Sequence, residues 1–290
     1  MRRVKVVVDS GADLPPELVQ RYDIQVVPLR VTLGLEDVSH LHASPERFWQ
    51  QALASGRRPA TAAPSPEQVR RVFHSLVRAG YDVLAVTLTG KLSAVYESFA
   101  LAAREFPGRV AVVDSRSLSL GVGLVAWRAA QWAAEGMSLE DVRRAAEALR
   151  ERVYVAAVLD TLDWAVHGGR IAYLLPVIRR VTRLFRVKVI LRVDAGRVHL
   201  GGVQRTYARA VRMLEDQVLA LGPVETLWIP HTRRPRQART LAERLASPLG
   251  LPLEHILIRE AGPVLGSHVG PGALGVALVM SNDERLKSND

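Results

Sequence analysis

Apolar and polar positions change period several times along this chain, and each change marks an element. Residues 4–8 read as an apolar, β-branched strand that closes on Asp9. Asp13-Leu14-Pro15-Pro16 predicts a helix to about Tyr22, with Asp13 as N-cap and the prolines in the first turn. Residues 24–33 read as a second strand. Ser44-Pro45 caps a helix ending near Ser55, and Ser65-Pro66-Glu67 opens another whose Val69, Val72, Phe73, Leu76 and Val77 share one face. Residues 82–87 form the next buried strand, before a helix from about Ser93 to Glu105, a strand at 110–113 and an apolar helix over 121–134. Strands separated by helices with short connections predict a parallel sheet covered on both faces. Ligands of such sheets bind beyond the C-terminal ends of the strands. Three of those ends are polar here: Asp9-Ser10, Thr87-Leu88-Thr89-Gly90 and Asp114-Ser115.

From about residue 153 the pattern shifts. A strand over 153–159 and a short helix at 161–165 lead to the turn His167-Gly168-Gly169. Residues 187–193 and 197–202 read as a hairpin around Asp194-Ala195-Gly196. An amphipathic helix over 207–221, a strand at 226–230, a helix over 235–245 and a strand at 254–259 follow. The Gly-rich segment 266–272 reads as a turn before a last strand over 273–280. The fold class expected is therefore α/β, with a three-layer parallel-sheet domain over 1–152 and a mixed-sheet α/β domain over 153–282. A polar tail, 283–290, is expected to fray.

Composition narrows the function. A chain of 290 residues can bury two cores. No apolar run approaches the roughly 20 residues of a membrane span, and the basic start MRRVKVVVDS runs into a strand rather than a signal peptide. The absence of cysteine excludes disulfides and thiolate chemistry, and a cytoplasmic protein is expected. The net charge of +10 raises three partners: nucleic acid, an anionic membrane surface or an acidic protein. Arginines such as Arg143-Arg144 and Arg233-Arg234 are scattered through helical stretches, and no nucleic-acid-binding signature is present, so nucleic acid is set aside; the plainer reading of the charge is arginines that solvate helix surfaces.

Three places could carry chemistry. Thr61 lies between prolines in Pro59-Ala60-Thr61-Ala62-Ala63-Pro64, read as a loop that holds its hydroxyl in place. The plainer reading is a local backbone cap. Ser93 follows a strand end at a helix start, where free N–H groups make an anion site; it could equally be an N-cap alone. His268 sits between glycines and could donate a hydrogen bond, titrate, or simply be exposed. His231 is a weaker candidate of the same kind, and His167, His199 and His255 read as structural or exposed. Gly90-Lys91 lacks the spacing of a phosphate loop, and no HExxH, GxSxG or GxGxxG occurs. Asp9, Asp13 and Asp114 are better used as a cap and as turn ties than as metal ligands, so neither a metal nor a cofactor is expected.

Taken together, six segments resemble one family, the DegV-like fatty-acid-binding proteins of bacteria. Val8-Asp9-Ser10-Gly11-Ala12-Asp13-Leu14-Pro15 looks like its DSTADLP motif, and Thr61-Ala62-Ala63-Pro64-Ser65 like its TSQPS loop. Thr89-Gly90-Lys91-Leu92-Ser93-Ala94-Val95-Tyr96 resembles SSxLSGTY, and Val113-Asp114-Ser115 the VDS segment. Leu162 through Gly168-Gly169-Arg170-Ile171 resembles LxxLxxGGRI, and Gly266-Ser267-His268-Val269-Gly270-Pro271-Gly272 resembles GxHxGPG. Gly11, Ala62-Ala63, Gly90 and Ala94-Val95 depart from the pattern and remove hydroxyls around the site. The resemblance implies a long-chain fatty acid held by Thr61 and Ser93 with His268 close by. It also implies a separate dihydroxyacetone-kinase-like fatty-acid kinase that phosphorylates the bound carboxylate. Arg170 and Arg205 are the arginines expected to face that kinase or stand behind the site, and a transient anionic membrane surface is the expected place of lipid exchange. The rival is a hydrolase or transferase using Ser93 and His268, which would need a third group to orient the histidine.

Overall fold

The computed structural model describes residues 2–39, 44–174, 176 and 187–282. In chain order the elements of the first half are β1 (Val4–Asp9), α1 (Pro16–Arg21), β2 (Gln25–Val27), β3 (Arg30–Leu33), β4 (Glu36–Asp37), α2 (Pro45–Ser55), β5 (Pro59–Ala62) and α3 (Pro66–Arg78). They continue with β6 (Asp82–Thr87), α4 (Val95–Ala103), β7 (Val110–Asp114), α5 (Leu120–Ala134) and α6 (Leu139–Arg150). The second half holds β8 (Val153–Leu159), α7 (Asp163–His167), β9 (Lys188–Asp194), β10 (Arg197–Gln204), α8 (Tyr207–Leu219) and β11 (Val224–His231). It ends with α9 (Pro235–Ala246), β12 (Leu257–Glu260), α10 (Pro263–Val269) and β13 (Leu274–Met280).

Four strands pair in parallel in the order β2-β1-β6-β7. Helices α3 and α4 cover one side of this sheet, and α5 and α6 pack against it as well. A second sheet runs β10-β9-β8-β13-β11-β12 and is antiparallel except between β11 and β12. A small antiparallel sheet, β4-β3-β5, completes the strands among the described residues. Helix α5 lies between the two large sheets, touching β1 and β6 on one side and β8, β11 and β13 on the other. That position explains its sequence: residues 120–126 are all buried, and a helix enclosed all round has no polar face. The six-stranded sheet obeys the period of two. Val155, Val193, Trp228 and Ala277 face the core around α5, while Ala156, Val158, Ile190, Leu227 and Val276 face α8 and α9. Among the described residues no helix is long and apolar enough to cross a membrane.

Several local expectations are corrected. The strand expected over 24–33 is two strands in two sheets, broken at Pro28, which has no N–H for a ladder. Asp13 does not cap α1, whose N-cap is Pro15; it is buried in the left-handed region at φ 53° and its carboxylate is used elsewhere. Thr61 lies on β5, paired with Val31 of β3, rather than in a loop. The Gly-rich segment expected to turn is in large part the helix α10. Helix α6 contains Arg143-Arg144, expected only as part of a helical stretch; its bounds and its capping side chain, Ser138, were not foreseen. The cap of α3 agrees: Ser65 and Gln68 exchange side-chain and backbone bonds in a capping box. The tail expected at 283–290 lies outside the described residues.

Candidate functional site

A cavity opens between the six-stranded sheet and the C-terminal ends of the parallel strands. It encloses about 1190 Å³ of space between atoms, its open mouth included. Its floor is the face of the sheet turned toward the first half: Ala157 and Leu159 of β8, Leu191 of β9, Val198 of β10 and Gly275 of β13. Leu88, Leu92 and Leu118 from the loops after β6 and β7, with Val264 and Leu265 of α10, close it from above. Against this apolar lining stand a few polar side chains, among them Thr61, Ser93, Arg170 and His268.

Each is held by a nameable device. The turn carrying Ser93 is tied at its start by carboxylates from the two neighbouring strands. Asp9 Oδ2 accepts from Leu88 N at 2.7 Å, and Asp114 Oδ2 accepts from Gly90 N at 3.2 Å. Thr89, fully buried, donates to the Gly196 carbonyl at 3.0 Å and so anchors the same turn to the β9–β10 hairpin. Ser93 Oγ accepts from Val95 N at 3.3 Å, which leaves its proton to be donated; the N-cap of α4 is Ala94. Burial pushes the Asp9 carboxyl up to about 6, against the opposing pull of the Leu88 and Gly11 N–H groups.

His268 reaches the cavity from α10. Its Nε2 lies 2.9 Å from Thr61 Oγ1, while its Nδ1 is buried with no hydrogen-bond partner. The ring leans on Gly168, where a β-carbon would sit 2.5 Å from Nδ1, so only glycine permits this approach. Gly266, two residues earlier, performs the same service for the helix as a whole, because a β-carbon there would stand 2.9 Å from Trp49 of α2. Burial, and next the Arg170 guanidinium, push the His268 imidazolium down to about 4, so the ring is neutral near pH 7. Arg170 is exposed, donates to the Gly168 carbonyl at 2.9 Å and lines the cavity, which places a fixed cation at its mouth.

Sequence reasoning expected Thr61, Ser93 and His268 near one another, and all three line this cavity. Arg170, expected behind the site or facing a partner, lines the cavity itself. Arg205 is exposed beyond β10 and does not line it. The Ser93–His268 pair of the hydrolase reading is not assembled: the imidazole Nε2 engages Thr61, and Nδ1 has no carboxylate to orient it. His231 lines the cavity, with its Nδ1 accepting from Arg234 N at 3.4 Å, and burial pushes its imidazolium down to about 4. Ser119, which also lines the cavity, was missed. Its signal is backbone geometry, φ 49° and ψ −133°, which no sequence pattern carries.

Fold and site together define an α/β protein built around an apolar cavity with a hydroxyl-, imidazole- and guanidinium-lined polar region. The chain belongs to the DegV family, whose model matches residues 3–281. A DegV domain-containing protein of Streptomyces coelicolor is 32% identical over 96% of this chain and 98% of its own length. Among solved structures, a DegV family protein from Thermus thermophilus, described for its fatty acid binding, is 34% identical. The match covers 96% of this chain and all of that one, with a TM-score of 0.81. A Thermotoga maritima protein whose structure revealed a fatty acid binding function is 25% identical over 97% of this chain and 100% of its own, with a TM-score of 0.84.

Proposed function

We propose that this protein binds one long-chain fatty acid in the cavity, with the carboxylate at Thr61, Ser93, His268 and Arg170, and performs no chemistry on it. The observation that carries the reading is the combination of a mostly apolar cavity with the Thr61–His268 pair and the Arg170 cation on its lining. A neutral His268 protonated at Nε2 donates to Thr61 Oγ1, and the Thr61 hydroxyl then donates onward to a carboxylate oxygen. The unpaired Nδ1 is in that case a bare lone pair, which costs less to bury than an orphaned N–H. Ser93 offers a second hydroxyl, and Arg170 supplies the opposite charge without which a sheltered carboxylate is expensive. The tail contributes most of the affinity. Each buried methylene is worth roughly 0.8 kcal/mol, so about 14 of them give on the order of 11 kcal/mol before ordering costs.

The reading extends to a partner: the bound carboxylate is presented to a separate dihydroxyacetone-kinase-like fatty-acid kinase. Support comes from the resemblance and from Arg170, which is exposed and lines the cavity; Val166 and Tyr173, close to it in sequence, are exposed apolar side chains. The test is direct. Organic extraction of the native protein should release a long-chain acid, about one per chain, and palmitate should raise the melting temperature of stripped protein. Lipid-free preparations that palmitate leaves unshifted would remove the reading. A lipid-loaded protein whose bound acid the kinase with ATP leaves unphosphorylated would remove only its second part.

A further inference from the structure

Outside the head-group side chains, the most constrained group next to the cavity is Asp13. It is buried and joins three segments far apart in sequence. Its Oδ2 accepts from the Ser119 hydroxyl at 2.5 Å, and its Oδ1 accepts from Gly262 N at 2.7 Å. Both Asp13 and Ser119 hold positive φ, at 53° and 49°, a conformation non-glycine residues keep only where surrounding contacts impose it. Ser119 lines the cavity, and Gly262 is the N-cap of α10, the helix that carries His268.

Helix α10 is a short, seven-residue element fixed at three points. Its end is fixed by the His268–Thr61 contact and its middle by Gly266 against Trp49. Its foot is fixed by Asp13. Loss of the foot leaves the helix free to tilt about its middle, and the ring at the other end is what moves. The apolar floor, built on the six-stranded sheet, does not depend on this contact.

We propose that Asp13 is a positioning residue for the carboxylate site, clamping Ser119 and the foot of α10 so that His268 stays on Thr61. This role rests on the fatty-acid reading above. It makes a demand that general stabilisation does not: the effect belongs to the acid head group and not to the tail. Dissociation constants for palmitate and for hexadecanol, which shares the tail and lacks the carboxylate, separate the two. In Asp13→Ala, palmitate should weaken about tenfold, equivalent to about 1.4 kcal/mol, while hexadecanol stays within about twofold. Asp13→Asn should rescue palmitate binding, because its amide oxygen still accepts from Gly262 and its NH₂ donates to Ser119. Should Asp13→Ala fail to fold, Ser119→Ala carries the test, with a smaller loss for palmitate and none for hexadecanol. Equal weakening of both ligands, or none of either, overturns the proposal and leaves Asp13 a purely structural residue. A wild-type protein that binds palmitate no better than hexadecanol strikes instead at the carboxylate site, and takes this role with it.

Discussion

Replacing His268 with glutamine should change how stability depends on pH more than how large it is near neutrality. The imidazole is pushed from 6.5 down to about 4, by burial first and Arg170 second. A group whose folded pKa is depressed contributes stability that is present above its unfolded pKa and is lost as pH falls through the folded one. The loss therefore accumulates between about pH 6.5 and pH 4. At 1.36 kcal/mol per pH unit it amounts to roughly 3 kcal/mol. His231 behaves alike, since burial pushes it to about 4 as well. Asp9 and Asp13 run the other way. Burial raises each carboxyl from 3.8 to about 6, so their contribution is present below about pH 3.8 and is lost as pH rises through 6. Each carries roughly 3 kcal/mol of opposite sign over nearly the same window. The four groups almost cancel, so the wild type should show a shallow profile from them between pH 4 and pH 6.5. Urea unfolding from pH 4 to pH 7 exposes the hidden slopes. His268→Gln should gain on the wild type by roughly 3 kcal/mol as pH falls across the window, and Asp13→Asn should lose by a similar amount. Parallel curves for all three proteins would refute the reasoning, because they would mean these groups titrate as freely in the folded protein as in the unfolded one.

Three further outcomes follow from the site. Thr61→Ala and Ser93→Ala should each weaken palmitate by roughly 1–3 kcal/mol while leaving hexadecanol nearly unchanged, measured by ligand displacement; equal effects on both would place the hydroxyls against the tail. Gly168→Ala puts a methyl group 2.5 Å from His268 Nδ1, so the ring must move and the Thr61 contact must lengthen. The loss in palmitate affinity should match that of Thr61→Ala, and full affinity in this variant would show that the Thr61–His268 contact is dispensable. The +10 charge should speed acid transfer to anionic over neutral liposomes at low salt, since a basic group near anionic lipid gains on the order of 1 kcal/mol. Transfer rates independent of both lipid charge and salt would make it a solvated surface only.

How far the sequence carries depends on whether a feature is local. The strands β1, β6 and β8 were legible because burial on both faces leaves runs of valine, alanine and leucine that few other environments tolerate. The cap of α3 was legible because Ser65 opens a four-residue device, closed by Gln68, that needs nothing from the rest of the chain. Pro28 was passed over because a proline ending one strand and a proline inside an edge strand look alike until the pairing partners are known. The helix α10 was hidden by its glycines. Gly266 is there to let Trp49 approach, a tertiary reason that overrides the helix-breaking tendency read from composition.

The site shows the same division more sharply. Thr61, Ser93 and His268 could be picked out because hydroxyls and imidazoles at strand ends and Gly-rich segments are unusual, and the resemblance set them in one group. Their contacts could not be: Thr61 and His268 are 207 positions apart, and nothing in either segment names the other. Asp13 is the instructive failure. An aspartate before Leu-Pro-Pro has a satisfactory local use as a helix cap, and a sequence argument stops at the first satisfactory use. The structure has Pro15 begin the helix and sends the carboxylate 249 positions on, to Gly262 N. A left-handed backbone and a buried charge are tolerated there, two costs with no local compensation. The charge is compensated by the Ser119 hydroxyl, the Gly262 N–H and the Arg259 guanidinium, and the first two of these tie the cavity wall to the helix that delivers His268.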